Sequence, residues 1–180
     1  MNNNQTIKIY DKEFKPYYSA DILDSAVTKI ASNLNYDFAA KSPVFLSVLN
    51  GAFMFTSDLL KKLNIDCELS FIKMSSYQGT ESTGEVKTIL GLTHNLFNRH
   101  VILLEDIVDT GNTIEELIHL IDKLNPASVK VAAMFYKPQA FKKSFKIDYV
   151  GIEISNEFIV GYGLDYNEKG RNLAEVYKIV

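Results

Sequence analysis

The run Val101-Ile-Leu-Leu-Glu-Asp-Ile-Val-Asp-Thr-Gly-Asn-Thr113 constrains the fold more than any other stretch of the chain. An apolar segment ends in the acidic pair Glu105-Asp106. A third acid, Asp109, then opens a Thr-Gly-Asn-Thr turn, and helical spacing begins at Ile114. A buried strand that passes through a hydroxyl- and Gly-bearing turn into a helix is an α/β unit, and it is also the architecture of a phosphate cradle. Backbone N–H groups and the positive end of the helix dipole converge there, and Gly lets the backbone approach closely. Three carboxylates beside a phosphate would repel it unless the ligand also offers hydroxyls or carries Mg²⁺, which takes carboxylate and phosphate oxygens together. A ligand with phosphate, a diol and a metal is a sugar phosphate.

The rest of the chain alternates in the same sense. After Ser19, a candidate N-cap, Ile22, Leu23, Ala26, Val27, Ile30, Ala31 and Leu34 lie on one helix face. Val44–Leu49 reads as a buried strand ended by Asn50-Gly51, and Ala52 to Leu63 returns to helical spacing. Cys67 to Lys73 and Val101 to Glu105 read as further strands. Ile114, Leu117, Ile118, Ile121 and Leu124 form the next helix face, closed by Asn125-Pro126, and Val129 to Tyr136 is a fourth strand. This order predicts right-handed βαβ units, hence an α/β fold with a parallel sheet flanked by helices. Ligands of such sheets sit beyond the carboxyl ends of the strands. Asn50-Gly51, Asp106–Thr113 and Lys137 all fall on that edge. Ser75 to Gly84 is polar and hydroxyl-rich with two glycines, the composition of a mobile loop. After Lys137 the pattern loosens, and Tyr149–Ile154 and Phe158–Tyr162 are expected as short strands of a small cap over the sheet edge.

Composition narrows the classes. The 180 residues suit one domain, with no linker or internal repeat. A net charge of -3 argues against a dedicated nucleic-acid binder. Cys67 is the sole cysteine, so no internal disulfide forms. The N-terminus lacks the features of a signal peptide, and no apolar run reaches the ~18 residues of a membrane span. A cytoplasmic protein is expected, with neither nucleic-acid nor membrane partners. His94, His100 and His119 have no metal-ligand spacing.

Taken together, these residues resemble the purine phosphoribosyltransferases, specifically the hypoxanthine-guanine type. Glu105-Asp106-Ile-Val-Asp-Thr-Gly-Asn-Thr113 is similar to the family's phosphoribosyl-pyrophosphate (PRPP) signature. Leu49-Asn50-Gly51-Ala52 stands where its pyrophosphate loop follows the first sheet strand. Ser76-Tyr77, with Ser82-Thr83-Gly84 after a short spacer, resembles the loop that closes over the site. Lys137, Phe158–Glu168 and Arg171 resemble the purine-recognition hood. The family often has Lys where this chain has Asn50, and a second Gly at Ala52; backbone N–H groups can still carry that contact. The resemblance also implies a non-proline cis peptide at Leu49-Asn50.

The implied reaction displaces pyrophosphate from the anomeric carbon of PRPP by a ring nitrogen of hypoxanthine or guanine, giving IMP or GMP. Its transition state has oxocarbenium character, as in glycoside hydrolysis. By resemblance, Glu105 and Asp106 hold the ribose hydroxyls directly or through Mg²⁺, and Thr110, Gly111, Asn112 and Thr113 bind the 5′-phosphate. Asp109 is the candidate general base or acid; burial beside two other acids would favour proton exchange near neutral pH. Helix capping is its alternative role. Lys137 donates to the purine 6-oxo group, which would make adenine, with an amino donor there, a poor substrate. Phe158 stacks on the purine and the Ile159 backbone meets its edge. Asp165 positions a second Mg²⁺ and senses the 2-substituent, Arg171 binds pyrophosphate, and Ser76-Tyr77 forms a lid. The hood is expected mainly from residues 137–175 plus the N-terminal segment, where Tyr17-Tyr18 packs under the hood or at a subunit interface. Homodimers or homotetramers are usual in enzymes of this kind. Two other readings stand beside this one. A PRPP-sensing regulator of nucleic acid would need a basic face. A phosphohydrolase with Asp106 as nucleophile would need a second Asp where Val108 stands.

Overall fold

The structure, a computed structural model, describes residues 5–75, 87–90 and 95–180. In chain order its elements are β1 (Ile7–Ile9), β2 (Lys12–Tyr18), α1 (Ala20–Asp37), β3 (Val44–Leu49), α2 (Phe53–Leu60), β4 (Glu68–Ser75) and β5 (Lys87–Leu90). There follow β6 (His100–Val108), α3 (Asn112–Asp122), β7 (Ser128–Tyr136), β8 (Tyr149–Glu153), β9 (Ile159–Val160) and β10 (Val176–Ile179). Six strands make the main sheet in the order β5-β4-β3-β6-β7-β8. Five of them run parallel, with Val44 opposite Val101 and His100 opposite Ser128, while β5 pairs antiparallel with β4.

Helices cover both faces, so the central strands are mainly apolar, as buried parallel sheets are, and the buried Ser47 of β3 shares a hydrogen bond with Thr56 of α2. In β6, Ile102 and Leu104 pack with α1 and α2, whereas Val101 and Leu103 pack with α3. Helix α1 buries Leu23, Ala26, Val27, Ile30, Ala31 and Leu34, as its spacing predicts; Ile22, the outermost member of that face, stays exposed. Helix α3 buries Ile114, Leu117 and Ile121. Each fully buried side chain of this kind contributes about 1.5–3 kcal/mol.

A second sheet, β1-β2-β10-β9, is antiparallel and unites the two ends of the chain. Its Ile159, Tyr162, Leu164 and Val176 join the core on the α1–α2 side, and Tyr18 stacks on Phe135 of β7 at 6.1 Å. This second sheet, built from residues 7–18 and 159–179 where a hood is expected, is held against the main sheet by apolar packing.

Three expectations change. Strand β6 does not stop at Glu105, because pairing with β7 continues through Ile107–Phe135 and Val108–Tyr136, so the acidic pair lies within the strand. Tyr149–Glu153 does not belong to the cap. It extends the main sheet as β8, parallel to β7 with Ala132 opposite Tyr149, because a strand entering beside β7 needs no helix when residues 137–148 cross over as a loop. Helix α3 ends at Asp122, before Leu124, which is exposed. Of the two histidines in the described residues, His100 shares a hydrogen bond with Ser128 Oγ. Among the described residues no helix is long and apolar enough to cross a membrane.

Candidate active site

The carboxyl ends of β3 and β6 and the start of α3 surround a cavity of about 580 Å³. Leu49, Asn50, Gly51, Glu105, Thr110, Asn112 and Thr113 line it, together with Val48, Met74 and Glu116. Sequence reading brings all but the last three to this edge. Glu116 was recoverable, because it follows Asn112 and Thr113 on one helix face at the i+3/i+4 spacing.

At the end of β3 the Leu49-Asn50 peptide is cis, as the resemblance implies. Gly51 follows, and an added Cβ there would lie 1.5 Å from Asp106 Oδ2, so a larger residue would have to displace that carboxylate. A second close approach closes the same corner, where a Cβ on the hood's Gly163 would lie 2.0 Å from the Gly51 carbonyl oxygen.

At the other side, Gly111 is the N-cap of α3 with φ 85°, a left-handed conformation that suits Gly. No side chain caps this helix, so its first-turn N–H groups have no intrachain cap partner and face the Thr110–Thr113 turn. Asp109 is therefore not a capping residue. The arrangement offers backbone donors and the positive helix end to an anion.

Glu105 is buried and its Oε2 has no hydrogen-bond partner. Burial, reinforced by the neighbouring Asp106 charge, holds its carboxyl well above the usual carboxylate range. Burial also raises Asp106, although the Glu105 carboxyl and the Ile107 N–H, 2.8 Å from Oδ1, offset part of that effect. A raised pair with an unsatisfied oxygen fits a cation: binding one would compensate a charge that is costly to bury alone. Among the described residues no three His, Cys, Asp or Glu side chains gather into a metal cage. Mg²⁺ does not need one, since one or two carboxylates plus substrate oxygens commonly hold it.

Lys137 is 9% exposed and its Nζ lies 3.0 Å from Asp109 Oδ2. Its backbone N–H donates to Val108 O at 2.9 Å, which locks the end of β7 to the end of β6 and brings two residues 28 positions apart into one ion pair. The expected burial of Asp109 is not found. Half of its side chain is accessible, whereas Glu105 is buried and Asp106 half-buried. The cause is the turn itself, which swings Asp109 out of the strand after Val108.

In the hood, Ile159 is buried in β9. Phe158 is 45% exposed and leans on Phe14 (6.3 Å) and edge-on to Tyr166 (5.9 Å). Asp165 binds Arg171 at 2.8 Å and accepts the Glu168 N–H. Arg171 also donates to Glu168 and to the Gly163 carbonyl, while its buried Nε has no partner. Arg171 thus stands behind Gly163, the glycine that touches the Leu49–Ala52 loop. Another cavity, about 620 Å³, lies on that side among Ile7, Tyr10, Phe53 and the 168–173 turn, but it lacks the acid pair and the helix N-terminus. Ser76 and Tyr77 lie outside the described residues.

Comparison with known proteins places this geometry in a class. Residues 17–167 match the phosphoribosyl transferase domain family. The chain is 38% identical over 160 residues to a hypoxanthine-guanine phosphoribosyltransferase of Streptococcus pneumoniae, covering 88% of this chain and 89% of that one. A hypoxanthine-guanine phosphoribosyltransferase structure from Bacillus anthracis superposes with a TM-score of 0.86 at 35% identity, over 92% of this chain and 98% of that one. A hypoxanthine phosphoribosyl transferase from Trypanosoma cruzi also gives 0.86, at 31% identity over 97% and 95%. The chain belongs to the phosphoribosyl transferase domain family, on its hypoxanthine-guanine phosphoribosyltransferase branch.

Proposed function

We propose that the 180 residues act as a single phosphoribosyltransferase domain that, with Mg²⁺, moves the 5-phosphoribosyl group of PRPP onto hypoxanthine or guanine. The products are IMP or GMP and pyrophosphate, a purine-salvage reaction. One observation carries the reading. The uncapped start of α3, the buried Glu105 and the Leu49–Gly51 loop bound one cavity, with the half-buried Asp106 next in β6 and the Lys137–Asp109 pair at the adjoining ends of β7 and β6.

In this reading the Thr110–Thr113 amides and hydroxyls hold the 5′-phosphate. Glu105 and Asp106 hold the ribose hydroxyls and one Mg²⁺, which supplies positive charge against the leaving pyrophosphate. The Leu49-Asn50-Gly51 backbone takes that pyrophosphate with Arg171, and Asp165 serves a second Mg²⁺. Asn50 contributes no charge, so amide donors carry the loop's share. The purine stacks on Phe158 and meets the Ile159 backbone, while Lys137 donates to its 6-oxo oxygen. A ligand oxygen that takes over the Lys137 ammonium leaves Asp109 free to exchange a proton with the purine nitrogen. Water exclusion protects the cationic sugar, the task of a lid at Ser76-Tyr77. The chain is further expected to work in the cytoplasm as a homodimer or homotetramer.

Incubating the pure protein with PRPP, Mg²⁺ and each base in turn tests this. Nucleotide should form with hypoxanthine or guanine and hardly with adenine, and a chelator should abolish it. Turnover without metal, or equal use of adenine, would refute the arrangement.

A further inference from the structure

Away from the cavity, Glu157 collects three side-chain donors. Tyr17 Oη (2.8 Å) and Ser155 Oγ (2.5 Å) bind its Oε2, and Lys178 Nζ (2.6 Å) binds Oε1. The Lys178 ammonium also lies 4.4 Å from the centre of the Tyr17 ring. The donors come from three places: β2, the connector that follows β8, and β10. Glu157 itself leads directly into Phe158 and Ile159. The backbone continues the same attachment, because the Ile179 N–H donates to Phe158 O at 3.0 Å and Lys178 is in register with Ile159.

Stability is a poor explanation for such an arrangement. The side chains of Glu157 and Lys178 are partly exposed, and exposed ion pairs contribute little. Its geometric content is larger. One carboxylate reached from two hood strands and its own connector fixes where the chain enters β9, and with it the Phe158 ring and the Ile159 amide and carbonyl. The ring contacts of Phe158 are a tilted packing with Phe14 and an edge-on one with Tyr166, which tolerate sliding. We propose that Glu157 is a positioning residue for the purine: through Tyr17, Ser155 and Lys178 it sets the placement of Phe158 and Ile159 without touching the ligand. This rests on the proposed function, since it presumes that the base lies against those two residues.

A positioning role splits the two substrates. PRPP sits on the parallel-sheet rim, so only the purine should sense the change. Glu157→Ala is expected to raise the KM for hypoxanthine about tenfold, with the KM for PRPP and kcat within about twofold. Glu157→Gln keeps an acceptor for Tyr17 and Ser155 and should shift it only about threefold. Tyr17→Phe keeps the ring and removes one donor, so it provides the same reading if the alanine variant does not fold; a purine-selective rise is again expected. Unchanged hypoxanthine KM in a folded Glu157→Ala or Tyr17→Phe protein would overturn the proposal, as would a parallel rise in both KM values. Wild-type protein that makes no nucleotide would instead overturn the functional reading on which it rests.

Discussion

The rim at the ends of β3 and β6 and the hood above it are built from different kinds of sequence. The rim comes from short contiguous segments, Leu49–Gly51 and Glu105–Thr113, each running from a strand into a helix. The hood joins residues 7–18 to residues 159–179 by antiparallel pairing across almost the whole chain. A phosphate or metal demands fixed donors, and a strand-turn-helix supplies them locally through amides and glycines. A base demands a flat, apolar slot whose walls can come from anywhere. Electrostatics also divides the two: the rim buries Glu105 with an unpaired oxygen, whereas Asp165, Glu157 and Asp11 of the hood are matched with Arg171, Lys178 and a tyrosine hydroxyl.

The largest test of that division falls where rim and base meet. Asp109→Asn keeps the shape and removes the charge opposite Lys137. Turnover should fall by about 10²–10⁴-fold, the usual contribution of a general base, with PRPP affinity changed only slightly. Single-turnover and equilibrium-binding measurements separate the two, and equal losses in both would deny Asp109 a proton-transfer role. Next in size is Lys137→Met. Losing a charged hydrogen bond in a buried site costs about 1.5–3 kcal/mol, so hypoxanthine KM should rise roughly 10- to 150-fold while PRPP KM holds. Saturation by hypoxanthine at wild-type concentrations would remove Lys137 from the purine side altogether.

What the sequence shows follows the same division. The Asp106–Thr113 segment is legible because strand, turn and helix signals are adjacent, and the cavity is lined by its Thr110, Asn112 and Thr113. Strand β8 is legible as a strand at Tyr149–Ile154 but not as part of the main sheet: it is short, no helical crossover announces it, and only its register beside β7 places it there. The exposure of Asp109 escapes for another reason, since the strand outlasts Glu105 by three residues and only then releases the chain. In the hood, tyrosines such as Tyr17 and Tyr162 read as generic aromatics. Their hydroxyl partners, Glu157 and Asp58, lie more than a hundred residues away in sequence.

Tyr162 measures how firmly the two regions are fastened. Its hydroxyl donates to Asp58 of α2 at 2.8 Å, and burial, then Asp58, pushes it above its ordinary range. Tyr162→Phe removes one hydrogen bond to a charged group, about 1.5–3 kcal/mol, and should lower the melting temperature by roughly 3–12 °C. Differential scanning calorimetry reads this directly. A melting point equal to wild type would mean that apolar packing alone joins the hood to α2.

The smallest effect is a matter of pH and belongs to the hood alone. The Lys178 ammonium, then the Ser155 and Tyr17 hydroxyls, hold the Glu157 carboxyl at about 2, below its ordinary 4.5. A depressed acid binds fewer protons in the folded state than in the unfolded state near pH 4, so stability there rises with pH. Its contribution is complete above 4.5 and disappears as pH falls toward about 2. Glu157→Gln, which has no charge to lose, should therefore melt below wild type at pH 7, and the gap should narrow steadily through that window. Because the pair is partly exposed, added salt should shrink the gap at neutral pH as well. A gap that stays constant from pH 7 to pH 2.5 would show that the charge of Glu157 does not bind the hood strands together, and that the shape of its side chain alone does so.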